Sequence, residues 1–258
     1  MIKSLGDYGV FVIVVGVWPS DHLLSYYNGD LEGRVEDIHL TWSRDELEKV
    51  LNLGASQLGI AFSPGIREAL VADAYGNVGL LQRVAESLCR EEGIFKARAD
   101  AVFVTVSDSL RRAQEVVADS MRGRYESFAD KFVHGLRRLA EGLEVYRYLL
   151  QAVTGAPDEV LASGIHRTEL LKRVRSIAPG NIKLADLTNA LQRIERLQVK
   201  IEVKPLILSY SRSSQKLWVV DKSFFFFRKY GKPNWPWEEP DFDVVNDLAT
   251  NDPLDING

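Results

Sequence analysis

Apolar residues first concentrate in a short run near the start of the chain. Seven of the eight residues in FVIVVGVW (11–18) are apolar, and four of them are valine. Such a run is typical of a strand that is buried on both faces inside a parallel sheet. A shorter alternation at Val35, Ile38 and Leu40 predicts a second strand. The first of these strands needs a pairing partner, because an unpaired apolar edge is an aggregation liability.

Helical spacing follows the two predicted strands. Ser43 and, three residues later, Glu46 form the sequence pattern of a capping box, and Gly54 is expected to stop or kink the helix that this box begins. Ser63 and Pro64 are an N-cap residue and a first helical residue, so a second helix is predicted there.

Further helices are expected between residue 78 and the aperiodic segment at 154–164. A helix follows the break at YGN (75–77), and apolar residues recur every three or four positions within 109–152. TGAPDEVLASG (154–164) is turn-rich and aperiodic, which predicts a linker between domains. Four to five helices in succession are therefore expected between the two strands and this linker.

Two helices and a hairpin are predicted beyond the linker. HRTELLKRVRSIAPG and KLADLTNALQRIERLQVKI have helical spacing, and IEVKPLILSYSRSSQKLWVVD alternates with period two around the polar tip YSRSSQK. This order is typical of a winged helix. The four phenylalanines of KSFFFFRKYG cannot all face one core, so some are expected to contact another element, such as the helical bundle or NWPW.

Composition indicates an ordinary globular protein. The 258 residues are 46% hydrophobic and 26% charged, which allows one large or two small domains. No apolar run approaches the roughly 20 residues that span a bilayer, and no leader pattern is present, so we expect a cytoplasmic location without a membrane partner. The single cysteine and the scattered histidines form no metal or triad spacing: Cys89, His22, His39, His134 and His166.

Charge is strongly segregated along the chain. Residues 165–232 contain 15 Lys and Arg against 5 Asp and Glu, whereas 233–258 contain 7 acidic residues and no basic one. The net charge of −4 leaves −7 for residues 1–164. A basic module therefore stands between an acidic body and an acidic segment, which indicates a polyanion-binding surface.

Six basic residues are the candidates for nucleic-acid binding. Arg193, Arg196 and Lys200 recur at spacings of three and four, so they share a helix face opposite the leucines. Such a face can follow a DNA backbone. The other candidates are Lys183, which belongs to the same predicted helix, and Arg212 and Lys216 in the hairpin. The alternatives are a solvated face with extra charge, and a winged helix that binds protein or inhibits its own chain.

The order of these pieces resembles the carboxy-terminal half of a bacterial AAA+ or STAND-like ATPase, which combines a nucleotide-binding core, a helical lid and a winged helix. The resemblance lies in VFVIVVGVWPSD, GDLEGRVEDIHLTWSRDELEKVL, FSPGIREALVADAYGNVGLLQRVAESLC and LILSYSRSSQKLWVVDKSFFFFRKYG. It implies an α+β, mainly α, fold. Its expected parts are a truncated α/β core remnant of two strands (1–42), a lid with connecting helices (43–153), a winged-helix domain (165–232) and an acidic, poorly ordered tail (233–258).

The same resemblance implies roles for individual residues. Arg34 takes the position of an arginine finger that acts on a neighbour's ATP, and Ser20 and Asp21 take the position of sensor 1. Arg83 is the candidate for sensor 2, although Gly79 stands where related lids often carry an arginine. The alternatives are that Arg34 is a surface arginine after a loop, that Ser20 and Asp21 belong to an ordinary turn, and that Arg83 is a solvated helix residue.

The chain contains no G-x-x-x-x-G-K-[ST] motif and no apolar strand that ends in paired acids. ATP and Mg²⁺ are therefore expected only with a P-loop-bearing partner or upstream half, in an oligomeric assembly, and the isolated chain is not expected to hydrolyse ATP. The alternative is a winged-helix DNA-binding regulator in which residues 1–150 form a helical platform for partners. A purely structural adaptor is a third hypothesis.

Overall fold

A computed structural model describes residues 10–13, 15, 35, 36, 38, 40–100, 102–134 and 143–238. Over these residues the fold is mainly helical and of the α+β class, with ten α-helices and two small sheets. None of the helices in these ranges has the length and apolar character that crossing a bilayer requires.

The first part of the described chain is a bundle of five helices that encloses a short parallel pair of strands. Ile60 lies opposite Val102 in this pair. In chain order the elements are α1 (Arg44–Leu58), β1 (Ile60–Phe62), α2 (Pro64–Asp73), α3 (Val78–Glu91), β2 (Val102–Val104), α4 (Ser107–Asp119) and α5 (Arg122–His134).

The second part contains five further helices and an antiparallel sheet with strand order β3-β5-β4. A short 3₁₀ turn, Pro236–Glu238, follows its last helix. The elements are α6 (Leu143–Thr154), α7 (Asp158–Ser163), β3 (Ile165–His166), α8 (Arg167–Ile177), α9 (Leu184–Lys200), β4 (Leu208–Ser211), β5 (Lys216–Val219) and α10 (Ser223–Tyr230).

The predicted capping box begins α1. The backbone N–H of Glu46 donates to the Ser43 hydroxyl, and the Glu46 carboxylate accepts from the Ser43 backbone N–H at 2.8 Å. Gly54 does not stop the helix, which continues through this residue to Leu58 and is followed by a left-handed Gly59. Ser63 precedes α2 as expected, but its side chain makes no capping hydrogen bond.

The described residues of the two predicted opening strands form no strand. Phe11 and Val15 are 98% and 90% exposed, and Ile38 and Leu40 are exposed as well. A strand needs a neighbour for its backbone groups, and no described strand lies beside these residues. The parallel pair that does form, β1 with β2, was not predicted, since strands of three residues are too short to show a period.

The predicted linker is partly helical and packed. Residues 158–163 form α7, whose Leu161 is 1% exposed. The carboxylate of Asp158 accepts a hydrogen bond from the hydroxyl of Tyr75 at 2.7 Å and lies 3.6 Å from the guanidinium of Arg228. A six-residue helix is shorter than two turns, so its apolar residues are too few to show periodicity.

All four phenylalanines of α10 are fully buried between the two parts of the chain. Phe225 stacks on Tyr75 with ring centroids 5.2 Å apart, and Phe224 meets Tyr125 at 5.3 Å. Phe224 also contacts Trp235, at 6.2 Å. The prediction that these rings contact other elements is therefore confirmed.

The first residues of the predicted tail are packed rather than poorly ordered. Trp235 is 7% exposed and stacks on Trp237, and the backbone N–H of Asn234 donates to the Glu126 carboxylate at 3.0 Å. Burial of an indole ring against α5 and α10 outweighs the acidic, proline-rich composition here. Residues 239–258 lie outside the described part of the chain.

Polar contacts at Asp73 fix α10 to the bundle. The Asp73 side chain is buried and accepts from Lys229 at 2.8 Å, from the Tyr230 hydroxyl at 2.8 Å and from Gln114 at 2.7 Å. A buried carboxylate is stable only when its oxygens are paired in this way. The same helix therefore contributes both the apolar and the polar contacts that join the two parts.

We expect Phe224→Ala to lower the free energy of unfolding by about 3 to 5 kcal/mol, because it removes a fully buried ring. Phe103 is 70% exposed, so Phe103→Ala is the matched control and should change that free energy by less than about 0.5 kcal/mol. Urea unfolding followed by circular dichroism measures both. Equal losses in the two variants would contradict the central position of α10.

Candidate nucleic-acid interface

Helix α9 has one buried face and one exposed face along its whole length. Leu187, Leu191 and Ile194 point into the core and are at most 1% exposed. Arg193, Arg196 and Lys200 lie exposed on the other side, as the spacing predicts. Within the described part of the chain these three side chains form no ion pair.

Two amide side chains share the exposed face and were missed from the sequence. Asn189 and Gln192 are exposed and lie three residues apart, on the same side of α9 as Arg196. We call the exposed side chains of Asn189, Gln192, Arg193, Arg196 and Lys200 the outward face of α9. The signal that could have found the amides is their position opposite the leucines.

A buried glutamine holds the hairpin against α9. The Gln198 side chain is fully buried, its amide N–H donates to the Leu208 carbonyl at 2.7 Å, and its oxygen accepts from the N–H groups of Ile207 and Leu208. The amide of Gln198 thus bonds backbone groups at the start of β4 in the way that a neighbouring strand would. Because these backbone groups are paired, the hairpin has a fixed position relative to the outward face.

One turn earlier, Glu195 makes a second contact with the hairpin. Its carboxylate accepts from the Ser209 hydroxyl at 2.6 Å and from the backbone N–H of Tyr210 at 3.3 Å. This acid is therefore used in positioning β4. The only other acidic residue within α9 is Asp186, in its first turn.

The two hairpin candidates have different environments. Arg212 is exposed in the turn between β4 and β5. Lys216 is only partly exposed, since its ammonium donates to the Ser163 carbonyl at 3.2 Å and lies 5.6 Å from the centre of the Trp218 ring. Arg212 is thus available to an approaching anion, whereas Lys216 also supports the start of the sheet.

Lys183 is exposed at the residue that precedes α9. It lies about 25 Å from Lys200 along the helix, at 1.5 Å per residue. Its charge adds to the positive end of the helix dipole. Lys183 therefore places one cation at the start of α9, whereas the three cations of the outward face lie in the second half of the helix.

Basic residues on and after α10 are bonded to other parts of the chain instead. Arg228 donates to the carbonyl oxygens of Val153 and Ala156, and Lys232 pairs with Glu115 at 3.1 Å. Burial lowers the pKa of Lys222, whose ammonium lies over the Phe225 ring. Residues 165–219 contain 11 basic and 4 acidic side chains, and some of these basic side chains are also paired, such as Arg173 with Glu169 at 3.3 Å.

The candidates implied by the ATPase resemblance are not brought together. Arg34, Ser20 and Asp21 lie outside the described residues. Arg83 is exposed on α3 and donates to the Ser120 hydroxyl at 2.7 Å. In the described structure Arg83 thus joins α3 to the end of α4.

An apolar groove of about 410 Å³ lies between α1, α3 and β1. Leu51, Ile60 and Cys89 are among the side chains that line it. Burial raises the pKa of the Cys89 thiol, with a smaller contribution from Glu86. Among the described residues, no group of three or more His, Cys, Asp or Glu side chains could hold a metal ion.

Comparison of this chain with protein-family models, with curated proteins and with solved structures gives no match.

The glutamine contact gives a direct test of hairpin positioning. Gln198→Leu keeps the volume of the side chain but leaves the backbone groups of Ile207 and Leu208 unpaired, so we expect a loss of about 2 to 4 kcal/mol in the free energy of unfolding. Gln192→Leu, on the exposed side of the same helix, is the control and should change that free energy by less than about 0.5 kcal/mol. Chemical unfolding measures both, and a neutral Gln198→Leu would refute the contact.

Proposed function

We propose that this chain binds double-stranded DNA through residues 165–219, and that these residues act as a winged helix with α9 as the recognition helix. The observation that carries the proposal is the outward face of α9, where three exposed cations follow two exposed amides and form no ion pair among the described residues. The order of α8, α9 and the β4–β5 hairpin, with β3 beside β5, supports the winged-helix interpretation.

The dimensions and chemistry of this face suit a duplex. The major groove of B-DNA, about 12 Å wide, admits a single α-helix. Arginine and lysine bind phosphate, and Asn or Gln pairs with the edge of an adenine through two hydrogen bonds. Arg193, Arg196 and Lys200 would supply the first kind of contact. Asn189 and Gln192 would supply the second.

The hairpin is placed to add a contact beside the helix. Gln198 and Glu195 fix β4 against α9, so Arg212 has a defined position relative to the outward face. An exposed cation on a fixed turn can bind a phosphate without first being ordered, which lowers the entropic cost of binding. We therefore assign Arg212 to the DNA backbone.

Arg196→Ala should weaken binding to all duplexes and reduce the slope of log K against log salt by about 1, because one phosphate contact is lost. Asn189→Ala should instead reduce the preference between sequences, by about 1 to 3 kcal/mol at the base it contacts. Fluorescence anisotropy with a randomised duplex pool, then with selected sites, measures both. Lys96→Ala is the control, since Lys96 is exposed on the helical bundle. Salt-independent binding, or equal effects of Arg196→Ala and Lys96→Ala, would overturn the proposal.

A second candidate function is the regulatory half of an AAA+ or STAND-like ATPase, which contributes the lid and Arg34 to a P-loop-bearing partner or upstream half. It is supported by the order of the elements and by α10, which packs on the helical bundle and follows the hairpin directly. The hydrogen bond from Tyr75 to Asp158 adds a further link between the two parts. A change in the bundle would therefore be transmitted to the basic module.

The genomic DNA upstream of the Met1 codon tests this candidate. We expect a translated G-x-x-x-x-G-K-[ST] followed by an apolar strand with terminal acids, in the same, a broken or an adjacent frame. ATP hydrolysis by this chain combined with that half should be lost in Arg34→Ala and retained in Arg83→Ala. Hydrolysis that is unaffected by Arg34→Ala would exclude the arginine finger, and an upstream region without such a motif would exclude the upstream half and leave only a separate partner subunit.

A further inference from the structure

We propose that the acidic residues 239–258 of this chain bind the outward face of α9 and so compete with any other polyanion for it. This contact inhibits the basic module within its own chain. It does not depend on DNA binding, because it requires only an exposed cationic face and an acidic segment within reach.

Charge complementarity is the first argument. Residues 239–258 contain six carboxylates, at positions 239, 241, 243, 247, 252 and 255, and no basic residue. Arg193, Arg196 and Lys200 are exposed and form no ion pair in the described structure. One exposed ion pair contributes little, but several pairs made by a tethered segment act together.

The point of attachment is the second argument. The chain is held at Asn234, whose backbone N–H donates to Glu126 on α5. Two residues away on the same helix, Arg124 donates to the Pro205 carbonyl at 3.2 Å. Pro205 follows the end of α9 by five residues. Helix α5 therefore contacts both the residues that precede the acidic segment and the loop that follows α9.

The length of the segment is the third argument. A chain of twenty residues can extend over at most about 66 to 72 Å. Arg193 and Lys200 lie about 10 Å apart along α9, at 1.5 Å per residue, so the segment is longer than the stretch that carries the three cations. A tether of this length gives an effective concentration in the millimolar range. A contact with a dissociation constant of about 0.1 mM between separate molecules, which a titration still measures, is then mostly formed within one chain.

A trans-binding experiment tests the contact directly. A fluorescent peptide of residues 239–258 is titrated with the chain that lacks these residues, at low salt, and its anisotropy is measured. We expect saturable binding that weakens by at least about tenfold on raising the salt to 300 mM. The intact chain should bind the peptide more weakly, because its own segment occupies the face. Absence of saturable binding would overturn the proposal.

Matched charge reversals locate the contact. Arg193→Glu with Arg196→Glu should weaken peptide binding by at least about tenfold, whereas Lys49→Glu with Lys96→Glu, which makes the same charge change on the exposed helical bundle, should change it by less than about twofold. Circular dichroism confirms that both variants are folded. Equal losses in the two double variants would show nonspecific attraction and would refute the proposal.

DNA binding by the same proteins separates this proposal from the previous one. If both hold, removal of residues 239–258 should tighten duplex binding by about fivefold or more at low salt, with the difference lost at high salt. Peptide binding without DNA binding would retain the inhibitory contact and exclude the DNA site. DNA binding without peptide binding would retain the DNA site and exclude the inhibitory contact.

Discussion

Burial of the phenylalanine rings of α10 is the interaction on which the rest of the structure depends. The helix follows the hairpin directly, yet its rings lie against Tyr75 and Tyr125 of the helical bundle. Each buried ring contributes about 2 to 3 kcal/mol through removal of apolar surface from water. The buried Asp73 carboxylate, paired with Lys229 and Tyr230, then selects one orientation of the helix. Apolar area thus provides the stability, and the polar contacts provide the register.

This arrangement also divides the positive charge of the chain into two groups. Cations on and after α10 are bound to backbone carbonyls and to carboxylates of the bundle, as Arg228 and Lys232 show. Cations on α9 face away from the core, because leucines occupy its inner face. A count of charges along the sequence treats both groups alike. Only packing distinguishes a cation that joins two parts of the protein from one that can meet a partner.

Sequence patterns predicted the elements that local periodicity alone determines, namely long helices and regularly alternating strands. The capping box at Ser43, the helices α8 and α9, and the hairpin are all found. The patterns did not predict the elements that form only through contacts with residues far away in the sequence. β1 pairs with β2 across some forty residues, and α7 is held by Tyr75 and by α10. At the candidate site, spacing predicted the cations of α9, whereas the roles of Gln198 and Glu195 required the hairpin to be in place.

The apolar groove beside α1 and α3 has a practical value. Cys89, the only cysteine in the sequence, lies in its wall with a buried thiol whose pKa is raised. A thiol in this state reacts slowly until the two helices separate, because only the exposed thiolate is a good nucleophile. The native chain therefore carries its own chemical reporter of local opening in the helical bundle. Its alkylation rate would register separation of α1 and α3 without an introduced cysteine.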